Sequence, residues 1–174
     1  HPTQAILDMT SLQEKFGHIK GLKVGIIGDI SHSRVALSNI HGLITMGAKV
    51  TLCGPATLIP PHITDLGVKV NHNIDEVIAW ADALNVLRIQ MERMGVSLFP
   101  SVREYRSLFG ITTERLAKHK KEVVIMHPGP MNRGVEIESA VADGDQAIIL
   151  DQVLNGVASR MAILFLLLGG KAES

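Results

Sequence analysis

Cysteine and aromatic residues are scarce in this chain, and neither sign of charge prevails. Cys53 is the only cysteine in 174 residues. This excludes an intramolecular disulfide framework and any thiolate zinc cluster, and it fits a reducing compartment. Phe, Trp and Tyr together make up 3%, too few for the stacking platforms that hold single-stranded nucleic acid. Lys plus Arg and Asp plus Glu each total 17, so no net field draws the chain to a polyanion or an anionic membrane. The eight histidines are scattered, without HExxH or other ligand spacing, and neither a metal nor a cofactor is expected. The longest unbroken apolar run, MAILFLLL at 161–168, is far short of the roughly 20 residues that span a bilayer. No signal peptide is visible at the start. The expectation is a soluble cytoplasmic domain whose partners are neither nucleic acid nor membrane.

What is present is an alternation of β-rich runs and helical periodicity, in a chain long enough for one domain with a sizeable core. KVGIIG at 23–28, KVTLCG at 49–54, GVKV at 67–70, ALNVLRI at 83–89 and EVVIM at 122–126 read as strands. Val35, Ile40, Leu43 and Ile44 recur at helical spacing between Ser33 and Met46, with Gly47 placed to stop the helix. Asn73 with Glu76, and Ser101 with Glu104, stand in capping-box register. The rest of 91–121 reads as polar and irregular. Strands alternating with helices predict an α/β, doubly wound, three-layer domain: a five-stranded parallel sheet in the order 3-2-1-4-5, with helices on both faces. The last helix, 147–168, carries Asp151, Asn155 and Ser159 as a polar stripe and becomes apolar all round toward its end. Such a helix wants burial on every side, more than one small sheet supplies.

In an open sheet of this kind ligands bind beyond the carboxyl ends of the strands, where the strand order reverses. GDISHSR follows the first strand and ends at Arg34; LRIQMER follows the fourth and contains Arg88; HPGPMNR follows the fifth. The predicted order puts all three along one crevice. Two arginines there suit a small dicarboxylate, because a guanidinium grips a carboxylate with two parallel hydrogen bonds. Surface pairing with Asp29, Glu92 or a helix end is the equally simple alternative. HPGP is stiff and poor in backbone donors, so its carbonyls are free to accept from an amine or amide; a plain strand-to-loop turn accounts for it as well, and His127 reads as structural. At the front, Pro2 suits the first helical position, His1 the N-cap and Gln4 the end of the first turn, where free N–H groups favour an anion. GIIGDI lacks the G-x-G-x-x-G of a dinucleotide site, and neither a P-loop nor a G-x-S-x-G elbow occurs.

HPTQAILD, GDISHSRVALSN, CGPATLIPP, LRIQMERM, EYRSLFGIT, MHPGPMNRGVEI and QVLNGVASRMA, in this order, resemble the successive motifs of the second half of the aspartate carbamoyltransferase catalytic chain. That family belongs to the aspartate/ornithine carbamoyltransferases. The resemblance implies an aspartate-binding domain over 1–174, with the carbamoyl-phosphate domain that precedes it in the family absent here. It implies that His1, Gln4, Gly129 and Pro130 bind carbamoyl phosphate, with His1 also the catalytic donor to its carbonyl oxygen. By the same resemblance Arg34, Arg88 and Gln90 hold L-aspartate. The product would be N-carbamoyl-L-aspartate, in pyrimidine biosynthesis. The parent would be a homotrimer, in some members joined by regulatory or dihydroorotase-like subunits, and the isolated fragment inactive. An ornithine-type transferase resembles a chain with an asparagine-rich turn after strand 1 and a cysteine in the strand-5 motif, where SHSR and HPGP stand here. A non-catalytic binding or assembly module of the same fold is the other alternative.

Overall fold

Residues 1–89 and 101–169 are described in the computed structural model of the chain. The elements are α1 (Pro2–Phe16), β1 (Lys23–Ile27), α2 (Arg34–Thr45), β2 (Lys49–Cys53), β3 (Lys69–Val70), α3 (Ile74–Trp80), β4 (Ala83–Val86), α4 (Val102–Phe109), α5 (Thr113–Ala117), β5 (Val124–Met126), α6 (Ser139–Ala142) and α7 (Ile149–Leu167). The strands form one sheet in the order β3-β2-β1-β4-β5, and each pairing is parallel. Ile27 stands level with Cys53 on one side and Val86 on the other, so β1 and β4 are the adjacent strands from which the order runs outward in both directions.

Local chemistry starts the helices where the sequence implies. Ser33 Oγ accepts from the Ala36 N–H at 3.1 Å. Asn73 accepts from Asp75 and Glu76 while its own amide reaches Glu76 Oε1 at 3.0 Å. Ser101 caps α4 through the Glu104 N–H. Gly47, at φ 80°, follows the end of α2. Gly28 takes φ 125° and donates to the Cys53 carbonyl at 2.8 Å, so the second glycine of GIIG turns the chain out of the sheet instead of cradling a phosphate.

Alternation along the strands splits the core in two. Val24, Ile26, Val50 and Leu52 pack with Leu12 of α1 and Ile40 and Leu43 of α2. Ile27, Leu84, Val86 and Ile125 pack with Val77 and Ile78 of α3, Tyr105 and Phe109 of α4, and Val141 of α6. Helices therefore cover both faces, as the sequence predicts. The strands are shorter than their apolar runs: β4 stops at Val86, although ALNVLRI extends to Ile89. Inside 91–121, α5 is a helix the periodicity misses, being five residues long; Thr112 Oγ1 caps it from the Arg115 N–H at 3.2 Å.

The last helix departs from expectation. Of its buried residues, Gln152, Asn155 and Gly156 face α1, and Ile149 joins the core with Ile125 and Val141. Leu150, Val153, Leu154, Val157, Met161 and 164–168 are exposed, Leu150 by 84%. Asn155 is thus not part of a solvated stripe with the exposed Asp151; it donates to Ser11 Oγ at 3.0 Å and to Glu14 Oε2 at 2.6 Å. An 18-residue window of the 19-residue α7 has a mean hydropathy of 1.4, so the helix is long and apolar enough to cross a membrane by length and composition alone. The shorter run at 161–168 understates this. Against a membrane role stands the polar face that α7 already commits to α1.

Candidate active site

The carboxyl ends of β1, β4 and β5 deliver the three predicted segments to one edge of the sheet. Leu87 N–H donates to Ile27 O at 2.8 Å, which carries the chain from β4 alongside the Gly28 turn and sets Arg88 just beyond it. Asn132 Nδ2 donates to Ile89 O at 2.8 Å, tying the segment after HPGP to the residue next to Arg88. Arg88 is half-buried, whereas Arg34, the first residue of α2, is exposed. Asp29 is not Arg34's counter-ion: its buried carboxylate accepts from the His32 N–H at 3.1 Å and faces His32 Nδ1 at 2.9 Å. Glu92 and Gln90 lie outside the described residues.

In the HPGP turn, Gly129 takes φ 60° and its peptide with Pro130 is cis. Its N–H, the one donor left between the two prolines, points inward onto His127 Nδ1 at 2.9 Å. Nδ1 must then be the acceptor nitrogen, so Nε2 carries the proton. Nε2 faces Glu136 Oε1 at 3.2 Å, both side chains being wholly buried. The same Glu136 oxygen accepts from the Asn132 N–H at 2.6 Å. Among the described residues no hydrogen bond ends on the carbonyls of Pro128, Gly129 or Pro130. The turn therefore offers acceptors and no free donor, and Gly129 and Pro130 are exposed.

His1 is the N-cap of α1 with Pro2 at the first position, and its exposed imidazole makes no cap bond. Gln4, one turn along, donates from Nε2 to Asp8 Oδ1 at 2.9 Å. Asp8 is fully buried and gathers three further amides: Gln152 onto Oδ1 at 2.7 Å, and Asn39 and Asn85 onto Oδ2 at 2.8 and 3.1 Å. Burial pushes its carboxyl above the ordinary range, opposed by these four bonds. Gln152 in turn accepts from the His127 N–H at 2.9 Å through its own oxygen. A continuous buried path thus runs from Gln4 through Asp8 and Gln152 to the base of HPGP. Sequence reasoning missed Asp8, Asn85 and Gln152. The available signals were an acid one turn after Gln4, an asparagine inside ALNVL, and a glutamine on an apolar helix. A cavity of about 730 Å³ lies at the opposite edge of the sheet near Asp82, Lys121 and Val124 and includes none of these residues.

The aspartate/ornithine carbamoyltransferase Asp/Orn-binding domain, as a family, matches residues 20–167. The chain belongs to that family. It is 61% identical over 170 residues to the aspartate carbamoyltransferase catalytic subunit of Moorella thermoacetica, covering 98% of this chain and 55% of that one. The Christiangramia forsetii catalytic subunit is 59% identical over 167 residues, covering 96% and 54%. Aspartate transcarbamoylase from Trypanosoma cruzi, solved in complex with carbamoyl phosphate, superposes with a TM-score of 0.82 at 29% identity, over 95% of this chain and 55% of that one. Ornithine carbamoyltransferase from Pyrococcus furiosus gives 0.81 at 25% identity, over 99% and 57%. The chain thus spans about half the length of its curated carbamoyltransferase relatives. Within the carbamoyltransferase fold the two substrate types share one architecture, so backbone likeness does not choose between them.

Proposed function

We propose that this chain is the aspartate-binding half of an aspartate carbamoyltransferase. Joined to a carbamoyl-phosphate half, it transfers the carbamoyl group to L-aspartate. The observation that carries the reading is the 61% identity to an aspartate carbamoyltransferase catalytic subunit, against 25% to the ornithine enzyme of equal structural likeness. Arginines at two neighbouring strand ends support a dicarboxylate substrate. The apolar outer face of α7 supports docking of the other half.

In this reading Arg34 and Arg88 take the two carboxylates of L-aspartate, and Gln90 orients the second of them. His1 donates to the carbonyl oxygen of carbamoyl phosphate, where negative charge grows as the aspartate nitrogen bonds to the carbonyl carbon. Gln4 and the acceptor-rich Gly129–Pro130 turn hold the carbamoyl NH2 and the incoming amine. Collapse of the tetrahedral species breaks the carbon–oxygen bond to phosphate. Inorganic phosphate, N-carbamoyl-L-aspartate and the proton lost from the amine are the products. Positioning and charge stabilisation carry the rate, without a covalent intermediate. The same reading places the enzyme in the cytoplasm, in pyrimidine biosynthesis, as a homotrimer.

The test is carbamoyl transfer by the complete chain in which this segment follows its carbamoyl-phosphate half. Arg34→Ala should raise KM for L-aspartate by about two orders of magnitude while leaving carbamoyl-phosphate binding nearly unchanged. Carbamoylation of ornithine in preference to aspartate overturns the substrate assignment. Turnover by the 174-residue chain alone overturns the requirement for the other half, and no turnover by the complete chain supports a binding module instead.

A further inference from the structure

The four amides around Asp8 all face it the same way. An ionised carboxylate only accepts, so each neighbouring amide must present its NH2 and turn its oxygen away. Both Asp8 oxygens are filled, each by two donors. Two of the amides pay for this: the carbonyl oxygens of Asn39 and Asn85 are buried and find no hydrogen-bond partner among the described residues. Among the described residues Asp8 alone accepts from the Asn85 NH2, whereas Asn39 Nδ2 donates to the Val35 carbonyl at 3.2 Å as well as to Asp8. The other two amides are the functional ones. One of the two Nε2 hydrogens of Gln4 is held on Asp8 at 2.9 Å, which turns its Oε1 to the far side of the amide. With its Nε2 held at 2.7 Å, Gln152 offers Oε1 to the His127 N–H, two residues before Gly129.

We propose that Asp8 is a positioning residue: its carboxylate turns the Gln4 oxygen toward the carbamoyl NH2 and, through Gln152, fixes the His127 peptide from which the Gly129–Pro130 acceptors project. Resting on the functional reading above, this goes beyond it by making one buried anion responsible for the acceptor polarity on two sides of the substrate. Asp8 itself touches no reactant.

The experiment uses the complete enzyme chain and the variants Asp8→Asn, Gln4→Ala and the two combined. Asn at position 8 keeps the shape but removes the anion and places a donor against one pair of amides, Gln4 and Gln152 on one side or Asn39 and Asn85 on the other. Asp8→Asn is expected to raise KM for carbamoyl phosphate about tenfold, the scale of a lost outer-shell partner, with KM for aspartate measured at saturating carbamoyl phosphate moving less. Combined with Gln4→Ala it should add little, because both remove the same contact. Fully multiplicative effects, or a fall in Tm with KM unmoved, overturn the proposal. Should Asp8→Asn fail to fold, Gln152→Met decides: a rise of about threefold is expected, and unchanged kinetics overturn the proposal. A readout independent of turnover is the side-chain amide 15N spectrum, in which the Gln4 and Gln152 NH2 signals shift in Asp8→Asn; unmoved signals overturn it. Absence of carbamoyl transfer by the unsubstituted chain sinks the functional reading alone, and the amide spectra then still decide the orientation.

Discussion

The sheet and the α1–α7 seam are built on opposite rules. Around β1 and β4 the interior is mostly aliphatic, with Ile26, Ile27, Leu84 and Val86 wholly buried and Asn85 turned from β4 to Asp8. Between α1 and α7 the interior holds Asp8, Ser11, Gln152 and Asn155 beside Leu7, while the leucines of α7 face outward. Gly156 lets the two helices approach, since a Cβ there would sit 3.3 Å from Leu7 Cδ2. A core of shape tolerates loss of polarity but not of volume, whereas a seam of hydrogen bonds fails when one acceptor goes.

That contrast can be broken by exchange. Asp8→Leu should cost about 4 kcal/mol in chemical denaturation, about one for each of the four hydrogen bonds to the carboxylate that are lost. Leu84→Ala, in the aliphatic core, should cost about 3 kcal/mol through lost contact and a cavity. A smaller loss at Asp8 than at Leu84 would mean that water enters the seam and the contrast is false. The raised Asp8 carboxyl sharpens the comparison by pH. Because the folded state holds this proton more tightly than the unfolded state, the group's contribution weakens as pH rises from the ordinary carboxyl range through the folded value, and is level above it. Asp8→Asn should remove that slope from the pH dependence of unfolding. Alkylation of Cys53 should be very slow in the native protein at pH 8, since burial pushes its thiol up to about 12; rapid labelling would show that the core face beneath α3 opens easily. The smallest effect is expected at Leu154, 71% exposed: Leu154→Lys should change the chain's own stability by less than about 0.5 kcal/mol, while weakening assembly with the carbamoyl-phosphate half.

The strands, their order and most helix starts were legible because they rest on local signals. Apolar runs between glycines marked β1 and β2, and Ser33, Asn73 and Ser101 marked helix entries through side chains two or three residues from the N–H groups they satisfy. Arg34, Arg88, Gly129 and Pro130 were legible as candidates because an open parallel sheet binds ligands at its strand ends. The buried polar path was not, because its bonds cross the chain: Asp8 meets Asn85 and Gln152 at separations of 77 and 144 residues. No periodicity encodes such a meeting.

By itself the chain's pattern determined a doubly wound sheet, most of its helix caps and a stiff turn at 127–130, since each follows from residue types near one another along the chain. Only the tertiary structure decided that α7 turns its glutamine inward and its leucines outward. An amphipathic pattern says that a helix has two faces; which one is covered depends on what the rest of the fold sets against it, and here that is a buried carboxylate needing donors.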